Sequence, residues 1–272
     1  MQYLELDRMH PFRRLTSALL LTASLLVGCR HQPSNELRIG VTPGPAEEIL
    51  QAIEPGLAKE GVVLKIVPFT DYVQPNLALA GHDLDANLYQ NVPFLNQFNH
   101  DHSTSLVTLT KVYLPLMAIY AGKTRTLNAF HDGARISLPN DPVNQARALH
   151  LLQTAGLLTL DPAAANKTTL GDVKENPHHL QLVELDASQL PRSRDDVDLA
   201  VINANFALDA GLNPIKDSLF HETIASEYAN VLVTDPDHAS DPRLWKLAEA
   251  LRSPAAQAYI TSHYQGAILP AS

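Results

Sequence analysis

Short apolar runs alternate with stretches of helical spacing along most of the chain. Leu37–Val41 (LRIGV) and Val62–Val67 (VVLKIV) read as buried strands bounded by turn residues. Between them Ala46, Ile49, Leu50, Ile53 and Leu57 recur near helical intervals. Pro45 suits the first helical turn and Gly61 its far end, while Pro55 works against the interior. Strand, helix, strand over 37–67 predicts a parallel βαβ unit. The alternation continues with helices over 72–81, 92–98, 144–155, 244–251 and 254–264. Strands are predicted at 84–87, 106–110, 116–120, 134–138, 181–185, 198–202 and 230–234. This predicts an α/β protein with mainly parallel sheets. Ligands bind at the C-terminal ends of such strands, where Tyr72, Asn87, Asn140 and Asn203 fall.

One segment breaks the pattern. Arg13 and Arg14 lead into a 13-residue apolar run, Leu15–Val27, closed by Gly28 and Cys29. A spanning helix needs about 20 such residues. A basic start, a short apolar centre and a small-residue exit predict a secretory signal over 1–28. Leu26-Val27-Gly28-Cys29 resembles a bacterial lipobox, whose cysteine takes up diacylglycerol and becomes the first mature residue. Two acyl chains anchor stably where one is marginal. Polar residues 29–36 then read as a lipidated tether.

Composition narrows the function. The 272 residues suggest two domains, and 45% hydrophobic with 18% charged residues is ordinary for a globular chain. Lys plus Arg total 20 against 29 Asp plus Glu, a net charge of −9. The first 28 residues hold three of the basic and two of the acidic side chains, so the remainder stands at −10. Such a surface repels phosphate backbones, which disfavours nucleic acid as a partner. A single cysteine excludes an intrachain disulfide, a CxxC pair and a Cys-rich zinc site. There is no glycine-rich phosphate loop and no GxSxG elbow. Asp195-Asp196 beside Arg192 and Arg194 reads as a solvated charged turn. Of 12 histidines, His100 with His102 and His178 with His179 are closest in sequence, and both pairs read as exposed loop residues rather than metal ligands. Pro139–Arg147 (PNDPVNQAR) is more specific. Asn144 and Arg147 share one helix face, which fits either a carboxylate site or an ion pair between Arg147 and a nearby acid.

Several long runs carry more information than spacing. They are FTDYVQPN (Phe69–Asn76), DLDANLYQNVPFL (Asp83–Leu95), LPNDPVNQARALHLLQ (Leu138–Gln153), ELDASQLPRSRDD (Glu184–Asp196), LAVINANFA (Leu199–Ala207) and EYANVLVT (Glu227–Thr234). They resemble the methionine-binding lipoprotein family (NlpA/MetQ-like), substrate-binding subunits of methionine ABC importers. The resemblance implies a two-lobed periplasmic-binding-protein-like fold with two crossover strands. Lobe I is then 37–120 plus 235–272, and lobe II is 121–234. It implies a non-enzyme without cofactor or metal, lipid-anchored through acylated Cys29, facing the periplasm or the outside. Its partners would be a free amino acid, an ABC permease and that permease's ATPase.

Residue by residue, the resemblance assigns Arg147 to the ligand carboxylate, helped by Asn144. Asn203 and Asn230 would bind the ligand's backbone ends, since amides offer donors and an acceptor. Tyr72, Tyr89 and Phe94 would wall the side chain, and aromatic rings pack well on a thioether. Three positions depart from the family. Asn91 stands where methionine binders typically carry His, Phe94 where Tyr is usual and Tyr89 where Phe is common. α-Amino acid recognition is thereby kept while side-chain preference is free to differ. The expected ligand is methionine or a close relative, including its D-form, its sulfoxide or a short methionine peptide. The alternative is an envelope lipoprotein or adhesin that keeps the fold with altered or lost specificity.

Overall fold

The computed structural model describes residues 35–271 except Asn128, Phe130, Ile224 and Ala225. The expected signal peptide, Cys29 and most of the tether lie outside the described residues. Among the described residues no helix is long and apolar enough to cross a membrane.

The chain opens as the pattern predicts. Strand β1 (Glu36–Val41), helix α1 (Pro45–Lys59) and strand β2 (Val63–Pro68) form a parallel unit, with Glu36 paired to Val63 and Val41 to Pro68. Gly44 caps α1 at φ 96°, a left-handed geometry that excludes most side chains. Pro55 is tolerated inside α1 because it lies on the solvent side, while Ile49, Leu50, Ile53 and Leu57 face the core. Then follow α2 (Gln74–Ala80), β3 (Ala86–Asn91), α3 (Val92–His102) and β4 (Val107–Pro115). After only Leu116 and Met117 the chain enters a second sheet at β5 (Ala118–Ala121). This sheet is built with β6 (Arg135–Pro139), α4 (Pro142–Thr154), the small pair β7 (Thr159–Leu160) and β8 (Val173–Glu175), β9 (Gln181–Leu185), α5 (Leu190–Ser193), β10 (Leu199–Ile202), α6 (Ala204–Asp209) and β11 (Ser218–His221). The chain returns through residues 222–229 to β12 (Asn230–Thr234), α7 (Pro242–Arg252), α8 (Pro254–Tyr264) and β13 (Ile268–Pro270).

Two lobes result. The first sheet runs β13-β4-β12-β3-β1-β2 and the second β11-β5-β10-β6-β9. Two observations amend the sequence reading. Both sheets are mixed rather than mainly parallel. Pairs β1–β2, β1–β3, β10–β6 and β6–β9 are parallel, while β4, β5, β11, β12 and β13 pair antiparallel. In the first sheet β12 and β13 run against the rest, and in the second β5 does, a direction that local apolar pattern does not encode. The lobe limits at 120 and 234 also move, since β5 belongs to the second sheet and β12 to the first. Each sheet has its own apolar layer, Leu37, Ile39, Ile49, Leu50, Leu244 and Ile260 in one, Ile119, Ile136, Leu149, Leu152 and Val201 in the other.

Candidate functional site

All eight side chains expected to bind ligand line one cavity between the lobes, together with Gln90, Pro115, Ala204 and Asn205. About 350 Å³ of space not filled by protein atoms, part of it open to solvent, lies among these residues. The fold explains the convergence. Tyr72 follows β2, Tyr89 and Asn91 end β3, Asn203 follows β10 and Asn230 starts β12. Asn144 and Arg147 occupy the first two turns of α4.

Arg147 is 3% exposed and already partnered. Its Nε donates to Glu222 Oε1 at 2.7 Å, and its Nη2 donates to Glu222 Oε2 at 2.6 Å and to the Pro115 carbonyl at 2.8 Å. Tyr228 covers the guanidinium, with Cζ 4.3 Å from the ring centroid. Burial opposes the charge on Arg147, but Glu222 outweighs it and the net shift is upward. Of the two alternatives left open by spacing the ion pair is present, and Arg147 also lines the cavity. Glu222 also accepts from the Met117 amide at 2.8 Å, while its own amide donates to the Met117 carbonyl at 3.0 Å. One carboxylate thus ties Arg147 to both crossings.

A chain of amides fixes the polar side of the cavity. Asp141 caps α4, accepting from the Asn144 amide at 2.9 Å, and its carboxylate also accepts from Asn144 Nδ2 at 3.0 and 3.1 Å. A carboxylate only accepts, so Asn144 must present Oδ1 on its other side. That oxygen accepts from Asn203 Nδ2 at 2.9 Å. The Asn203 amide is thereby oriented with Oδ1 buried and without a partner. Asn203 stands at the N-cap of α6 but makes no side-chain cap bond. Asn230 commits Nδ2 to the Tyr89 carbonyl and Tyr113 Oη, both at 2.9 Å. Burial raises the Asp141 carboxyl above its ordinary range.

Aromatic rings form the opposite side. Tyr72 lies 5.9 Å from both Tyr89 and Phe94, and Tyr89 lies 6.1 Å from Phe94. Tyr89 Oη donates to the Tyr72 carbonyl at 2.7 Å. Burial pushes both tyrosine hydroxyls well above their usual range, which keeps them neutral. Behind the wall, Asn76, Asn87 and Gln90 bond one another in a buried ring of amides at 2.6 to 2.9 Å. Asn91 caps α3, its Oδ1 accepting from the Phe94 amide at 2.9 Å. The lobes meet at the cavity mouth. Tyr72 Oη donates to Asn205 Oδ1 at 2.6 Å, and Asn205 Nδ2 donates to Thr42 Oγ1 at 3.2 Å.

Other expectations resolve simply. His100 and His102 lie in the last turn of α3 rather than in a loop, and both are exposed. Asn87 joins the buried amide ring and Asn140 is exposed outside the cavity. Sequence reading missed Glu222, Asn205, Gln90 and Pro115. Gln90 and Asn205 sit inside family-like runs and were reachable there. Glu222 sits in none of them, and its role depends on a partner 75 positions away.

Two α/β lobes joined by two crossings, closed over a cavity with amides and Arg147 on one side and aromatics on the other, define the periplasmic-binding-protein class. Comparison with known proteins narrows this. The family model described as NlpA lipoprotein matches residues 37–272, and the chain belongs to that family. It is 38% identical over 240 residues to the D-methionine-binding lipoprotein MetQ of Escherichia coli K12, covering 86% of this chain and 88% of that protein. A nutrient binding protein from Burkholderia cenocepacia, solved bound to methionine, superposes with a TM-score of 0.83 at 38% identity, covering 87% of this chain and all of the other. A periplasmic substrate-binding protein of an ABC transporter from Coxiella burnetii gives 0.82 at 38% identity, covering 86% of this chain and all of the other. Other relatives carry only lipoprotein names.

Proposed function

We propose that this chain is a lipid-anchored substrate-binding protein that captures a free α-amino acid, methionine or a close relative, and delivers it to an ABC permease driven by its ATPase. It performs no chemistry on the ligand. The observation that carries this reading is Asn203 Oδ1, a buried acceptor without a partner, held at the cavity by the chain from Asp141. A ligand ammonium supplies the missing donor, with Asn230 Oδ1 on the same side. The carboxylate then meets Arg147 through Nη1, the nitrogen that neither Glu222 nor Pro115 uses. Tyr72, Tyr89 and Phe94 take the side chain, where a thioether packs favourably on aromatic rings. Acylated Cys29 holds the protein at the membrane, facing the periplasm or the outside. The lobes close by rotation about the crossings, and the closed form docks on the permease.

Mass spectrometry of co-purifying ligand, followed by calorimetric titration with L- and D-methionine, the sulfoxide, methionine dipeptides and unrelated amino acids, tests the reading. Binding of one methionine species above the unrelated amino acids is expected. Absence of heat with every methionine species overturns the ligand assignment. The names of some relatives favour a second reading, an envelope lipoprotein without transport. Failure of the loaded protein to stimulate its cognate transporter's ATPase would select it.

A further inference from the structure

Three metal-ligating side chains converge on the first lobe away from the cavity. His82 lies in the turn between α2 and β3, and Asp235 and His238 belong to the turn after β12. Strands β3 and β12 are antiparallel, so Ala86 pairs with Thr234 at this end while Asn91 pairs with Asn230 at the cavity end. Four residues of strand at about 3.3 Å each put roughly 13 Å between the ends. The cluster is therefore separate from the solute cavity.

A ligating atom of each side chain lies within 4.8 Å of the other two. The His82 and His238 rings meet edge to face, with centroids 5.9 Å apart. His238 Nδ1 is buried and has no hydrogen-bond partner. Such an atom is rare in a folded protein and calls for an explanation. A cation taken at Nδ1 would be its partner. Asp235 uses Oδ1 to accept from the Asp237 amide at 2.9 Å, which fixes the turn and leaves Oδ2 for an ion. The two nearby guanidiniums each have a carboxylate. Arg38 bridges Asp85 at 3.4 Å and donates to the His82 carbonyl at 2.9 Å, and Arg243 pairs with Asp241 at 2.5 Å.

We propose that His82, Asp235 and His238 form a site for a divalent transition metal, zinc by the character of the donors. Two imidazoles and one carboxylate, with water completing a tetrahedron, suit zinc. Calcium and magnesium favour all-oxygen shells. Donors about 2.0–2.1 Å from zinc stand about 3.3 Å apart. His82 is exposed, and its ring is the one free to swing inward. The bound ion staples the outer ends of β3 and β12, the strands whose inner ends carry Asn91 and Asn230.

The sequence supplies a reporter. Trp245 is the only tryptophan, and its indole N–H donates to the Ala239 carbonyl at 2.9 Å, next to His238. The full chain, without a histidine tag and stripped with a chelator, is titrated with zinc chloride. Trp245 emission and metal analysis after equilibrium dialysis are the readouts. One zinc per chain is expected, with a change in Trp245 emission. His82→Ala and Asp235→Asn should each weaken zinc binding at least about tenfold, the smaller effect of losing even an outer-shell partner. Asp235→Asn keeps the turn cap and His82 is exposed, so both chains are expected to keep the parent's circular dichroism. A His100→Ala/His102→Ala chain should bind zinc as the parent does. No zinc uptake by the parent, or uptake that survives both substitutions, overturns the site.

Discussion

Glu222 grips Arg147 on two nitrogens of its guanidinium, at 2.7 and 2.6 Å, although the residues are 75 positions apart. Removing one member of a buried pair strands the other charge, whereas removing both does not. Arg147→Ala is therefore expected to lower unfolding stability by about 3 kcal/mol. An Arg147→Met/Glu222→Gln chain should lose less than half as much. Urea unfolding of the parent and both variants measures this, and equal losses would mean the pair is not coupled. Both variants should lose methionine binding in calorimetry.

The Asp141–Asn144–Asn203 chain depends on Asp141 being unable to donate. Asp141→Asn keeps a helix cap but lets the amides flip. A hydrogen bond to a charged ammonium contributes about 1.5–3 kcal/mol net. Affinity for methionine should fall by at least about tenfold, with unfolding stability within about 1 kcal/mol of the parent. Unchanged affinity would show that Asp141 does not set the Asn203 orientation.

Closure rests partly on Tyr72 and Asn205, 2.6 Å apart across the lobes. Tyr72→Phe keeps the ring in the aromatic wall and deletes that bond alone. A neutral hydrogen bond is worth about 0.5–1.5 kcal/mol, so Kd should rise by about 2- to 13-fold. Gly44→Ala acts at the same contact, since a Cβ there would stand 3.2 Å from the Asn205 carbonyl at φ 96°. It should weaken binding further. Calorimetry on both variants separates the contributions.

Among the described residues that line the cavity there is no histidine, and the ionisable ones are shifted away from neutral pH, whereas burial raises the Asp141 carboxyl behind Asn144. Arg147 is raised and stays charged, and Tyr72 and Tyr89 are raised and stay neutral. Methionine affinity should be flat from about pH 7 to 8 and should fall on acidification, because a protonated Asp141 no longer holds the Asn144 amide in place. Stability should behave differently at alkaline pH. A tyrosine whose folded pKa exceeds its unfolded value of about 10 contributes stability that is complete below pH 10 and is lost as pH rises through the folded value. Tyr72, Tyr89 and Tyr113 are all raised by burial. Thermal unfolding should show Tm declining above about pH 10, and less steeply in Tyr113→Phe.

What the sequence discloses is set by how local each signal is. Strand β1, helix α1 and strand β2 are legible because Ile49, Leu50, Ile53 and Leu57 fall on one face between two apolar runs. Strand β11 is not, because Ser218–His221 is half-buried throughout and shows no alternation. Strand β13 has only three residues. Pairing direction around the crossings depends on residues far apart in the chain, so the mixed sheets are invisible to periodicity. The same division holds at the cavity. Asn144 and Arg147 announce themselves by helical spacing. Glu222 has no such signature, and what Asn203 offers a ligand depends on Asp141 acting through Asn144.

The placement of β12 also governs the order of folding. It lies between β4 and β3 in the first sheet, yet more than a hundred residues separate it from either in sequence. The second sheet draws all its strands from one uninterrupted stretch, 118–221, and needs nothing from outside it. A chain appearing from its N-terminus can therefore assemble the second lobe while the first still exposes the unpaired edges of β3 and β4. Such edges are where strands of neighbouring molecules add. The latest-arriving central strand makes the first lobe the vulnerable half of a nascent chain, and truncation before residue 230 leaves that half without its middle.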